Sequence, residues 1–303
     1  MRTSKKFQGV VVPMITPLLE NGKVDEQAVE KIMRLFADND ISPLVLGTTG
    51  EGASFSKRDS LDLVSMVMSA KAATQQIYVG LTGNQVGEQI ELANGYLDLG
   101  VDAVVATLPS YYILTPFQMQ SYFKNLADKV SGPVMIYNIK STTQMSIPLD
   151  IIEELSQHPN IFGLKDSERD EERLAQSITL FKDRKDFSFF CGWGAESAHS
   201  LELGADGIVP STGNLVSEMY KNLFQAAISG DLETSKKYQD LTDQVAVLYQ
   251  KDRTLGQSLA TLKLLMQEKG LCKPFMKAPL SMLDDEMTQQ ALQNWQAFQN
   301  SQE

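Results

Sequence analysis

Eight short runs of apolar and β-branched residues recur along the chain, with a stretch of helical spacing after each. The runs are GVVVPMI from Gly9, PLVLG from Pro43, QIYVG from Gln76, DAVVAT from Asp102, PVMIYN from Pro133, IFGLK from Ile161, FSFFCG from Phe187 and DGIVPS from Asp206. They are apolar throughout instead of alternating with polar residues, which is the pattern of strands covered on both faces of a parallel sheet. The intervening segments each present one apolar face: within residues 26–37, Val29, Ile32, Met33 and Phe36 fall three or four positions apart. Similar segments cover about residues 57–72, 86–99, 116–130, 149–157, 168–181, 194–203 and 216–229. Eight strand-helix units predict a closed (β/α)8 TIM barrel. The rival, an open doubly wound sheet that binds a dinucleotide, requires a glycine-rich turn after the first strand. PMITPLLENG stands there, and its prolines remove the N–H groups that would cradle a pyrophosphate.

A barrel of this kind takes roughly 250 residues, and the chain has 303. After Gly230 only helical patterns remain, over about 231–248, 254–269 and 284–298, with Asp231 placed to cap the first and Gly270 to stop the second. The expected organisation is therefore a barrel at residues 1–230 and a C-terminal helical extension, residues 231–303, packed on it. The net charge of -11, with no basic run, argues against nucleic acid or an anionic membrane as partner. Two cysteines, Cys191 and Cys272, make no disulfide framework and fit a reducing compartment. The basic start MRTSKK leads into a short apolar run broken by Pro13 and Pro17, and no stretch reaches the roughly 18 apolar residues of a membrane span. A cytoplasmic enzyme is the expectation.

In such barrels the chemistry sits where strands meet the loops that follow them. After the second strand, GTTGE brings Gly47, Thr48, Thr49 and Gly50, whose amides and hydroxyls can converge on a small carboxylate. The fourth strand is followed by LPSYYILTP, with Tyr111 and Tyr112 between two prolines. The fifth strand ends in Tyr137 and Asn138. The sixth ends in Lys165, 28 positions after Tyr137 and so about one strand-helix repeat away. A strand-end lysine alone more often points into water. Paired with a phenol on the adjacent strand, it suits attack on a keto carbon, with the phenol moving protons through carbinolamine and enamine. A 2-keto acid, with pyruvate the simplest, matches these parts. His158 and His199 have no second ligand at metal spacing, so no metal site is expected. ERDEER, residues 168–173, reads as a solvated face at a helix start. Cys191 ends the seventh strand and reads as a small buried hydrophobe.

GTTGE, YN and a strand-end lysine in GLKDS, in that order, together with FQGVVVPMITPL, YY and GADGIVPSTGN, resemble the dihydrodipicolinate synthase and N-acetylneuraminate lyase family of class I aldolases. The resemblance implies that Lys165 forms the Schiff base, Tyr137 relays protons, Thr48 links the relay and Thr49 holds the keto-acid carboxylate. It also implies that Tyr112 is lent to a neighbouring subunit's site, that Gly192 and Val209 line the pocket, and that the protein is a homo-oligomer, a dimer or tetramer, without cofactor. One departure bears on substrate. The synthases follow YN with a proline and an arginine before TG, the arginine holding the aldehyde's carboxylate two-pronged. This chain has YNIKSTTQ, with Lys140, Thr142 and Gln144 in those places. Only Lys140 offers a charge there, and hydroxyl and amide groups suit a polyol. The expected reaction is cleavage or formation of a carbon-carbon bond in a 2-keto-3-deoxy sugar acid. Dihydrodipicolinate synthesis, N-acetylneuraminate cleavage, a hydratase or dehydratase variant and a keto-acid-binding sensor remain alternatives.

Overall fold

The computed structural model describes residues 5–302. Eight parallel strands close into a barrel in chain order, β1 (Gly9–Pro13), β2 (Ile41–Val45), β3 (Tyr78–Leu81), β4 (Ala103–Thr107), β5 (Val134–Asn138), β6 (Ile161–Asp166), β7 (Ser188–Cys191) and β8 (Gly207–Ile208). Closure comes from β8 pairing with β1, Gly9 opposite Gly207 and Val10 opposite Ile208. Asn214 bolts the seam by accepting from the Ile15 N–H and donating to the Pro13 carbonyl.

Around the strands lie α1 (Glu26–Asp38), α2 (Lys57–Ala70), α3 (Val86–Asp98), α4 (Pro116–Lys129), the single turn α5 (Lys140–Thr143), α6 (Leu149–Leu155), α7 (Glu171–Phe181), α8 (Ser197–Leu203) and α9 (Ser217–Ser229). Past residue 230 follow α10 (Leu232–Gln250), α11 (Leu255–Glu268) and α12 (Asp285–Gln302). α10 packs on α9 and α8, and α11 on α10 and α12. Local chemistry sets the helix ends. Thr115 and Gln118 form a reciprocal cap on α4, which starts at Pro116 where no N–H is needed. Asp231 caps α10 through the Thr234 N–H, and Gly270 follows α11 in the left-handed region at φ 63°.

Two apolar layers result. The larger joins helix-facing side chains such as Val12, Val45, Ile136 and Leu164 to the helices. The smaller fills the barrel interior with Val11, Leu44, Tyr78, Val105, Met135, Tyr137, Phe162, Phe190 and Val209. One helix starts later than its pattern suggests: α7 begins at Glu171, capped by Asp170 through the Arg173 N–H, because residues 166–168 are held in a polar cluster described below.

Candidate functional site

Strict alternation along β6 would send Phe162 and Lys165 to opposite faces. A bulge resolves this. Val134 pairs with Ile161 but Met135 pairs with Gly163, so Phe162 is the extra residue and the register resets beyond it. Tyr137, an interior residue, then lies directly opposite Lys165 and both point into the barrel mouth. Gly163 pairs with Ser188 on β7 so closely that no side chain fits, since a Cβ there would lie 2.6 Å from the Ser188 carbonyl oxygen.

Lys165 is 4% exposed, and its ammonium sits 3.8 Å from the centroid of the Tyr137 ring. No carboxylate pairs with it among the described residues. A buried lysine without a counter-ion is uncommon unless it is used. The Tyr137 phenol accepts a 3.4 Å hydrogen bond from the Ser167 hydroxyl. Gly192 closes the same corner: a Cβ there would fall 2.1 Å from the Ser167 hydroxyl oxygen. Val209 belongs to the interior layer.

The GTTGE turn lies above β2. Its carbonyls are turned inward: Gly50 accepts from Thr16, Gly47 from the Gly52 N–H and Thr48 from the Glu51 N–H. Among the described residues the N–H groups of Thr48, Thr49 and Gly50 donate to no backbone acceptor. Unpartnered amides grouped in this way make a seat for an anion. The turn is tight enough that Gly52 tolerates nothing larger, because a Cβ would lie 1.9 Å from the Leu46 carbonyl oxygen. Gly52→Ala is expected to lower stability by about 1–3 kcal/mol, the range for an overpacked site, as read from the urea midpoint. No hydrogen bond joins Thr48 to Tyr137 within the subunit among the described residues.

Beside the strand ends lies a polar cluster, in the segment whose charges predict a solvated face. Asn138 donates to Asp166 at 2.9 Å and to Glu168 at 3.0 Å, while its own oxygen accepts from the Ile147 N–H. Arg173 donates to Asp166 at 2.7 Å and lies 3.6 Å from Glu168. Ser146 and Lys140 donate to Glu168 at 2.6 and 3.0 Å. Of residues 168–173, Glu168 and Arg173 are thus withdrawn from water, and only those between them are exposed. Burial pushes the Asp166 carboxyl above the ordinary range against the pull of Arg173. Burial acts the same way on Glu168, but the bonds from Ser146, Asn138 and Lys140 outweigh it and hold that carboxyl low.

The remaining candidates stand apart from this centre. Lys140 is exposed and spends its charge on Glu168. Thr142, on α5, turns its hydroxyl back to the Ile139 carbonyl at 3.3 Å. Tyr112 is 71% exposed, with Tyr111 against it edge to face. Cys191 faces the helices, donating to the Trp193 carbonyl, and burial pushes its thiol up to about 12. His158 clasps Asp128 at 3.0 Å. Among the described residues no three His, Cys, Asp or Glu side chains converge as metal ligands, and no helix is long and apolar enough to cross a membrane.

The family model for the dihydrodipicolinate synthetase family matches residues 6–297. A 4-hydroxy-tetrahydrodipicolinate synthase of Laribacter hongkongensis is 29% identical over 279 residues, covering 91% of this chain and 94% of its own. An uncharacterized DapA-like lyase of Thermofilum pendens is 27% identical, covering 92% and 93%. The solved dihydrodipicolinate synthase of Bacteroides thetaiotaomicron superposes with a TM-score of 0.90 at 24% identity, over 97% of this chain and all of that one. With a closed barrel, an interior lysine beside a phenol, and a match over nearly its whole length, the chain belongs to the dihydrodipicolinate synthetase family and is a carbon-carbon lyase of the class I aldolase type.

Proposed function

We propose that the protein cleaves or forms a carbon-carbon bond in a 2-keto-3-deoxy sugar acid through a Schiff base on Lys165. The Lys165 amine adds to the keto carbon, and the carbinolamine so formed loses water. The resulting iminium draws in the electron pair of the breaking C3–C4 bond, leaving an enamine, while Tyr137 takes the proton of the C4 hydroxyl. Protonation of the enamine and hydrolysis release pyruvate and free the lysine. In this reading the amides of the 47–50 turn and the Thr49 hydroxyl hold the keto-acid carboxylate, and Thr48 extends the proton path. Gly192 and Val209 shape the pocket, and Tyr112, exposed in the single subunit, enters a neighbouring site in a homo-oligomer.

The observation that favours a polyol over a second carboxylate is the fate of the charges after β5. Thr142 stands where a bidentate arginine would, and Lys140 is already committed to Glu168 at 3.0 Å. A buried carboxylate without a matched donor is disfavoured by orders of magnitude. The synthase name of the Laribacter relative favours a second reading, condensation of pyruvate with aspartate semialdehyde. A screen decides between them: cleavage of 2-keto-3-deoxy acids, N-acetylneuraminate and 4-hydroxy-2-keto acids, with the condensation run in parallel. The expected kcat/KM for a 2-keto-3-deoxy sugar acid exceeds that for the condensation by about 10²-fold or more. The reverse order would overturn the sugar-acid reading and leave the Schiff-base step standing.

A further inference from the structure

Glu51, the last residue of GTTGE, is fully buried with a left-handed backbone at φ 58°. At the other end of the turn Leu46 is left-handed too, at φ 54°. Neither is glycine, and such backbone persists only where the surroundings enforce it. The enforcement comes from far along the chain. The Glu51 carboxylate pairs with the ammonium of Lys263 on α11, whose side chain is 1% exposed. Its other oxygen accepts the Lys277 N–H at 2.7 Å. Lys263 also donates to the Phe275 carbonyl at 2.8 Å, so one ammonium ties α11, the 275–277 segment and the turn together. A buried ion pair adds little to stability over a well-packed apolar pair of the same volume. What it supplies is direction, since it fixes where a carboxylate, and the backbone carrying it, must sit.

We propose that Lys263 and Glu51 are positioning residues through which the C-terminal helices hold the 47–50 turn in the shape that receives the substrate carboxylate. This rests on the reading of that turn as the carboxylate seat. The pair touches no reacting atom; it acts through the amides of Gly47 to Gly50.

The test uses the full-length protein carrying Lys263→Met together with Glu51→Gln, a neutral pair of nearly unchanged volume, beside the conservative single variants Lys263→Arg and Glu51→Asp. Two quantities are read: the pyruvate concentration for half-maximal borohydride trapping on Lys165, and amide exchange over residues 46–52. The folded double variant is expected to need about tenfold more pyruvate or greater, to exchange faster at 46–52, and to retain its trapping rate at saturation. Lys263→Arg, which keeps the charge, should recover part of the shift. Trapping curves that superimpose on wild type in folded variants overturn the proposal. If the double variant does not fold, Glu51→Asp, which withdraws the carboxylate by one methylene, is read in the same way, and an unshifted trapping curve there overturns the proposal equally. Wild-type protein that pyruvate and borohydride leave unmodified would instead refute the reading of the site itself.

Discussion

Lys165→Met should abolish turnover while leaving a folded protein. In the proposed mechanism every step runs through the nitrogen of Lys165, and no other lysine is placed on the interior face next to Tyr137 among the described residues. Removing the nucleophile of a covalent mechanism costs up to about 10⁶-fold in kcat, so activity should fall to background. The effect on stability is expected to have the opposite sign. Lys165 is buried against a phenol ring with no carboxylate partner among the described residues, and methionine keeps most of the volume without burying a polar group there. The melting temperature of Lys165→Met should therefore match or exceed that of wild type. Mass spectrometry after pyruvate and borohydride should show a three-carbon adduct on Lys165 in wild type and none in the variant. An active variant, or an adduct elsewhere in wild type, would remove Lys165 from the mechanism.

How much of the fold and site is visible in the one-dimensional chain depends on the distance over which each residue's fate is decided. The eight strands are legible because a doubly covered strand is apolar at every position, as in AVVAT and VMIYN. The helices are legible through the apolar face, as in Val29, Ile32, Met33 and Phe36 of α1. Family motifs carry Lys165 and Tyr137, but their facing arrangement depends on the bulge at Phe162, which only the pairing of β5 with β6 reveals. Glu51 is invisible as a buried charge because its partner lies more than two hundred residues away. Ser167 belongs to the GLKDS motif, but nothing in the sequence says that its hydroxyl reaches the Tyr137 phenol. Lys140 looks available to a substrate in the sequence, and only the fold brings Glu168 within reach to claim its charge.

The 168–173 run is the sharpest case, and it leads to the second large expected effect. In a charge-rich helix start every residue has an equally good reason to face water, and nothing local says that Arg173 turns inward to Asp166. Once it does, the two strand ends are clamped. Asn138 follows Tyr137, Asp166 follows Lys165, and these neighbours are hydrogen-bonded to each other and anchored by Arg173 and Glu168. Arg173→Leu strands a buried carboxylate, for which the loss is about 3–5 kcal/mol. Loosening the clamp also shifts the phenol relative to the amine, and a displacement of about 1 Å can cost 10²-fold in rate. The pH dependence separates a stranded charge from a simple packing defect. Asp166 has a folded value raised above its unfolded one, so the folded state binds the proton more tightly and stability falls as pH rises through that window. Without Arg173 the raised value moves further up and the window widens. The gap in urea midpoint between wild type and Arg173→Leu should therefore widen as pH rises through the carboxylate range toward neutrality and narrow as pH falls and Asp166 takes up its proton. A gap that stays constant over that range would mean that lost packing, and not the uncompensated Asp166 charge, destabilises the variant.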